Sequence, residues 1–273
     1  MDEMFCFQCQ QTAHNEKCNG KAGVCGKKSD TAKAQDELIG ALIGLAKAAE
    51  CGTPTDSTDR LVLKGLFTTI TNVSFNTKTV KELTAEVEDE KRKICKSKVD
   101  NYELSRLWEA SDDIRSLKSL ILFGIKGMAA YAYHALALGK ADSEVNSFFY
   151  TALRAIEGES DPDKLLGLVL KTGEVNFRCM ALLDSANTES YGNPVPTVVP
   201  LTIEKGPFIV VSGHDLHDLK LLLEQTEGKG INIYTHSEML PAHGYPELKK
   251  YKHLKGNFGT GWQNQQSEFH NIP

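Results

Sequence analysis

The 273-residue chain has no cysteine after position 179. It also has no run of about 20 consecutive apolar residues, the length a membrane helix needs. Its longer runs, 120–123 and 128–133, fall far short, so no membrane partner is expected. The start, Met1-Asp2-Glu3-Met4, is acidic and lacks the apolar core of a secretory signal, so a cytoplasmic protein is expected. Basic residues are not in excess: 31 Lys and Arg stand against 36 Asp and Glu, a net charge of −5, which argues against a nucleic-acid partner. Low hydrophobicity is lacking too. Hydrophobic residues make up 41% and charged ones 25%, which excludes a disordered chain. At about 100–200 residues per domain, the length suits two domains.

Seven cysteines are present, and four of them (Cys6, Cys9, Cys18 and Cys25) fall within twenty residues. In a reducing compartment a cluster of this kind points to metal binding or catalysis rather than to disulfides. The spacing is x2, x8 and x6. Four thiolates on a short loop can hold either one zinc ion or one iron–sulfur cluster. Paired x2 knuckles would favour zinc, and only the first pair is x2. The stretched second pair favours iron–sulfur, with zinc and four unrelated thiols left as alternatives. Gly20, Gly23 and Gly26 allow close backbone approach to cluster sulfurs. Residues 1–30 show no apolar periodicity and need something else to order them.

Helical patterns then follow one another. Ser29-Asp30-Thr31 offers a cap, and Leu38, Ile39, Leu42, Ile43 and Leu45 form a stripe ended by Gly52-Thr53-Pro54. Further helices are expected over 59–72, 77–95, 112–138, 144–156 and 163–183. Together they describe one or two antiparallel bundles over 31–190. The charged stretch 78–98 reads as a solvated helix face, and Cys51, Cys95 and Cys179 as inert buried thiols. His217 and His253 read as surface residues. The role of Trp262 and the polar residues after it is not legible.

Three prolines between positions 194 and 200 mark a boundary. Strand patterns at 208–212 and 231–235 flank a helix at 215–226. This is a βαβ unit, the start of a parallel α/β sheet occupying 191–273. His214 follows the first strand and Glu238 the second. Ligands of open α/β sheets bind at the carboxyl ends of strands, so the two could share one metal. Taken on these residues alone, the plainer reading is that His214 caps a helix and Glu238 solvates a turn. Gly213-His-Asp-Leu is no dinucleotide fingerprint. The sheet looks unfinished at Pro273.

The opening MFCFQCQQTA, the cysteine spacing and VCGK at 24–27 closely resemble the hybrid cluster (prismane, hydroxylamine reductase) family. SGHDLHDL at 212–219, THSEMLPAHGYP at 235–246 and GNFGTGWQNQQSEF at 256–269 resemble it in the same order. The resemblance implies helical bundles followed by Rossmann-like α/β domains. It implies that Cys6, Cys9, Cys18 and Cys25 hold a [4Fe–4S] cluster; the short x8 gap favours this over [2Fe–2S], although x6 is one longer than the common cubane pattern. It also implies a hybrid [4Fe–2O–2S]-type centre bound by one His, two Glu and four Cys, one of them a persulfide. His214 matches the family's histidine and Glu238 its first glutamate, so these two are the expected catalytic metal ligands. The implied activity is reduction of hydroxylamine to ammonia, and of nitric oxide to nitrous oxide, in defence against nitrosative stress. Electrons would come from a redox protein and pass through the N-terminal cluster. Family members are about twice this long, so this chain is expected to be an N-terminal portion, either a stretch of a longer chain or a shortened or split one that a complementary C-terminal chain would complete. The alternative is a one-cluster electron-transfer or redox-sensing module without catalysis.

Overall fold

The computed structural model describes residues 5–9, 13–15, 17–70, 73–270 and 272. Parts of the motifs at 4–13 and of the expected helix end at 72 lie outside the described residues. The chain divides into two compact units. One is Met1–Leu136 with Ala141–Leu182, and the other is Ala137–Lys140 with Leu183–Pro273.

The first unit is helical. At its centre lies α1 (Ser29–Ala48), whose Leu38, Ile39, Leu42, Ile43 and Leu45 are fully buried. Its small residues admit close neighbours. A Cβ on Gly40 would stand 2.1 Å from the Tyr102 carbonyl oxygen, so only glycine fits. Helix α2 (Asp56–Thr68) starts on a reciprocal cap, with Thr55 Oγ1 accepting from Thr58 N at 3.4 Å and Thr58 Oγ1 accepting from Thr55 N at 3.0 Å. Helix α3 (Thr77–Ile94) buries Val80, Leu83 and Val87. Its charged surface is less uniformly solvated than the sequence suggested. Glu90 and Lys91 are buried, and Glu90 accepts a 2.7 Å bond from Thr58 Oγ1.

A short helix, α4 (Ser105–Glu109), precedes α5 (Asp112–Ala137), α6 (Ser143–Gly158) and α7 (Pro162–Tyr191). By length and composition α5 could cross a membrane, which corrects the expectation that nothing in the chain reaches that size. It is a core helix here: Ile121, Leu122, Ile125, Met128 and Ala129 are buried in the apolar cluster of the first unit. The apolar runs undercount it because Lys118 and Lys126 interrupt them while being themselves buried. Helix α7 continues eight residues beyond the expected end at 183. Nothing between 184 and 190 breaks a helix, and Tyr191, 1% exposed, is held in the second unit's core.

The second unit is α/β. Strand β1 (Phe208–Ser212), helix α8 (Leu216–Thr226) and strand β2 (Asn232–His236) form the expected parallel unit, with Phe208 opposite Asn232 and Ser212 opposite His236. Asp215 caps α8 by accepting from the His217 and Asp218 amides at 2.8 and 3.1 Å. A third parallel strand, β3 (Leu254–Asn257), pairs with β2, so the order is β1-β2-β3. Its sequence, LKGN, is too short and polar to show a strand pattern. A 3-10 segment (Ser237–Gly244) and α9 (Pro246–Lys249) connect β2 to β3, and α10 (Gln265–Glu268) follows. Leu219, Leu223, Ile233, Met239 and Leu248 pack as the core. His217 and His253 are half-buried rather than surface residues, and His253 Nε2 lies 2.9 Å from Thr226 Oγ1.

Candidate functional site

The cysteine loop is both anchored to the helical core and paired with itself. Phe7 is buried in the main core and tilts against Trp108 of α4 with ring centroids 4.9 Å apart; Phe5 meets the same indole edge-on at 5.6 Å. Cys6 and Cys18 then face each other across an isolated antiparallel bridge. Cys6 N donates to Cys18 O at 3.1 Å and Cys18 N to Cys6 O at 2.7 Å. Directly opposed residues of such a pair project to one side, and both thiols are buried. Cys9 and Cys25 are half-buried. The turn after Cys25 is made by Gly26 at φ +84°, whose amide donates to Gly23 O at 2.8 Å.

Beneath the loop lies a buried polar group that is unusual in holding two lysines. Lys126 of α5, 3% exposed, donates to Gln8 Oε1 at 2.8 Å, and Gln8 Nε2 donates to Asp36 Oδ1 of α1 at 2.6 Å. Lys27, 2% exposed, donates to Gln35. Burial, with the Lys27 charge adding to it, pulls the Lys126 ammonium down to about 7, against the opposing pull of Asp36, Cys6 and Cys9. Burial likewise pushes Asp36 up to about 6. The Cys6 thiol is raised chiefly by burial, while a backbone bond from Gln8 and the Lys27 charge act the other way. Negative charge brought to Cys6 and Cys9 would favour the protonated form of Lys126.

This donor set partly fits an anionic iron–sulfur group. Two thiols are preset side by side, and two buried lysines lie beneath the loop. Among the described residues, however, no three His, Cys, Asp or Glu side chains converge as a metal site, so the four-thiol arrangement itself is not formed.

The second constellation lies at the carboxyl ends of β1 and β2. His214 Nε2 and Glu238 Oε2 stand 3.8 Å apart, with side chains 70% and 43% exposed. The structure therefore brings this expected pair together, with no third donor among the described residues. Ser237 precedes Glu238 at φ +56°, a conformation uncommon for a residue with a Cβ. That turn lets Ser237 Oγ donate to Glu238 at 2.6 Å while accepting from Trp262 N at 3.0 Å. The Ser237 bond, helped by a backbone bond and then by the nearby His214 and His236, outweighs burial and holds the Glu238 carboxyl below its ordinary range.

A chain of polar residues that sequence reasoning missed lies beside this pair. Ser212 Oγ is 2.9 Å from Nδ1 of His236, a ring with no exposed surface; His236 Nε2 is 3.0 Å from Glu268 Oε2; and Thr260 Oγ1 donates to Glu268 Oε1 at 2.6 Å. One further pair ties the connecting segment to the sheet: Thr235 Oγ1 lies 2.9 Å from both His243 Nε2 and Asn257 Oδ1. The available signal was a histidine and a threonine ending the apolar strand NIYTH, where a buried polar side chain must find partners.

A helical unit bearing a four-cysteine loop, followed by a parallel α/β unit with a His–Glu pair at its strand ends, suits a metal-dependent redox protein. The chain belongs to the Prismane/CO dehydrogenase family, whose profile matches residues 4–273. It is 48% identical over 299 residues to a hydroxylamine reductase of Solidesulfovibrio magneticus, covering 99% of this chain and 55% of the relative. It is also 48% identical over 302 residues to a hydroxylamine reductase of Thermodesulfovibrio yellowstonii, covering 99% and 56%. The chain thus spans about half the length of the curated relatives it matches. Carbon monoxide dehydrogenase IV of Carboxydothermus hydrogenoformans aligns over 97% of this chain and 44% of its own, at 15% identity and a TM-score of 0.38.

Proposed function

We propose that this chain is the cluster-bearing part of an iron–sulfur oxidoreductase that reduces hydroxylamine. The observation that carries the reading is the paired, buried Cys6 and Cys18 over Lys27 and Lys126, in a chain whose relatives are named hydroxylamine reductase. Cys6, Cys9, Cys18 and Cys25 hold a [4Fe–4S] cluster, and His214 and Glu238 are two ligands of a hybrid [4Fe–2O–2S]-type centre. When bound, these clusters supply one-electron redox steps and an open iron position for the substrate.

The chain's own residues do the rest. Phe5 and Phe7 fix the loop to the helical core, so binding energy need order only residues around the thiols. Lys27 and Lys126 offset thiolate charge in a site from which water is largely excluded. Ser237 keeps Glu238 ionised and aimed, and imidazole with carboxylate makes the His214–Glu238 end a harder ligand set than four thiolates. Hydroxylamine reduction takes up two electrons and two protons and yields ammonia and water. Two nitric oxide molecules would similarly take up two electrons and two protons to give nitrous oxide and water. The electron donor is a redox protein, and the remaining hybrid-centre ligands come from residues outside this sequence. The compartment is the cytoplasm, where these thiols stay reduced.

A one-cluster electron-transfer or redox-sensing module is the second reading, favoured by the two-donor His214–Glu238 end. Iron and acid-labile sulfide analysis of anaerobically purified chain separates the two. About four irons and four sulfides per chain are expected for the loop cluster alone. About eight irons, together with hydroxylamine turnover, are expected once the remaining ligands are supplied by the C-terminal part. Zinc without sulfide overturns both readings.

A further inference from the structure

Two thiols outside the cysteine loop meet where α1 and α3 end. Cys51 lies in the turn that closes α1, its amide donating to Ala48 O at 3.0 Å, and Cys95 caps the end of α3, its amide donating to Lys91 O at 3.0 Å. The two backbones touch here. A Cβ on Gly52 would stand 2.7 Å from the Ile94 carbonyl oxygen and 3.3 Å from Ile94 Cγ2, which sets the neighbouring Cys51 and Cys95 opposite one another. The two thiols are near enough for Cys95 to act on the ionisation of Cys51. They differ in access: Cys51 is exposed, which corrects its reading as a buried inert thiol, whereas Cys95 is 5% exposed.

We infer that Cys51 and Cys95 form a thiol–disulfide exchange site for small disulfides such as oxidised glutathione. An exposed sulfur backed by a buried one sets the order of events. The Cys51 thiolate attacks one glutathione sulfur, the glutathione S–S bond breaks, and one glutathione thiolate leaves. The Cys95 thiolate then attacks the Cys51 sulfur, that mixed disulfide breaks, and the second glutathione thiolate leaves. Two protein thiols are oxidised to one disulfide, one glutathione disulfide is reduced to two thiols, and the two cysteine protons pass to the departing glutathiones. The product ties the ends of α1 and α3 together around the segment 52–94. The neighbouring Cys95 thiol raises Cys51 above its ordinary range, so exchange is slow near neutrality and quickens in mild alkali.

The test is to incubate the full chain with oxidised glutathione at about pH 8.5, alkylate it, and digest it with trypsin without reduction. Cleavage after Lys47, Arg60, Lys93 and Lys96 should release peptide 48–60 joined to peptide 94–96. The linked pair should be two hydrogens lighter than the sum of its parts. Cys51→Ser should abolish the link and leave Cys95 unmodified until unfolding. Cys95→Ser should trap glutathione on Cys51. As an independent readout, the oxidised wild-type chain should melt about 5 °C higher, reversibly with dithiothreitol, and oxidised Cys51→Ser should not. A wild-type chain that keeps glutathione on Cys51 with Cys95 free, that leaves both thiols free, or that links Cys51 to another cysteine overturns the inference.

Discussion

Tyr150→Phe tests how the first unit is held together. Tyr150 of α6 is 6% exposed, and its hydroxyl donates to Asp59 Oδ1 of α2 at 2.6 Å; Asn146 Nδ2 supports the other carboxylate oxygen at 3.0 Å. Phenylalanine keeps the ring and its packing, so the substitution removes one donor from an ionised, half-buried acceptor. Hydrogen bonds to charged groups are worth about 1.5–3 kcal/mol, and water reaching the half-buried Asp59 places the expected loss near the lower end. For a domain of this size that is a melting temperature lower by about 3–6 °C. The pH dependence gives a second, sharper check. Burial first, and then the Asp59 bond and charge, push the Tyr150 phenol well above the ordinary tyrosine range. Above about pH 10 the unfolded chain has lost a proton that the folded chain keeps, so this stabilisation is complete below pH 10 and fades as pH rises. Denaturant unfolding of both proteins from pH 7 to 11 should show a gap that narrows above pH 10. A gap under about 0.5 kcal/mol at neutrality, or one that stays constant to pH 11, would refute the reasoning.

Gly40→Ala should destabilise the chain by about 2–3 kcal/mol, read from the denaturant midpoint, because the new methyl would collide with the Tyr102 carbonyl, a backbone group, at 2.1 Å. In the metal-free chain Lys126, pulled down to about 7, should make stability rise with pH from about 7 to 10, since over that window the unfolded chain holds a proton the folded one has released. Lys126→Met should flatten that rise, and an unchanged slope in denaturant titrations would count against the lowered Lys126 ammonium. Cys6→Ser or Cys9→Ser should abolish bound iron and sulfide, measured after anaerobic purification. Cys179→Ala should not, because that thiol is fully buried, is pushed up to about 12 chiefly by burial, and lies in the apolar core of the first unit. Iron loss in Cys179→Ala would show that the wrong thiols had been chosen.

Much of this molecule follows from sequence periodicity. The stripe Leu38, Ile39, Leu42, Ile43, Leu45 specifies a helix with one buried face whatever it packs against, and α1 is that helix. The run FIVVS followed by an Asp215 cap and a leucine stripe specifies strand then helix in the same way, and the cysteine spacing marks the loop before any fold is known. These are local properties, written in neighbouring residues. Other features belong to no local pattern. Strand β3 exists because β2 offers it a ladder, since LKGN alone has no reason to be extended. Helix α7 runs on to Tyr191 because the second unit's core holds that ring. The long-range pairs Ser212–His236, His236–Glu268 and Lys126–Gln8 join residues 24, 32 and 118 positions apart. The approach of Cys51 to Cys95, and the exposure of one against the burial of the other, likewise depends on how α1 packs on α3. Residue type and spacing reveal which side chains could do chemistry. Which of them meet, and how much water they keep, is decided by the packing of elements distant in sequence, because burial and proximity are properties of the folded chain alone.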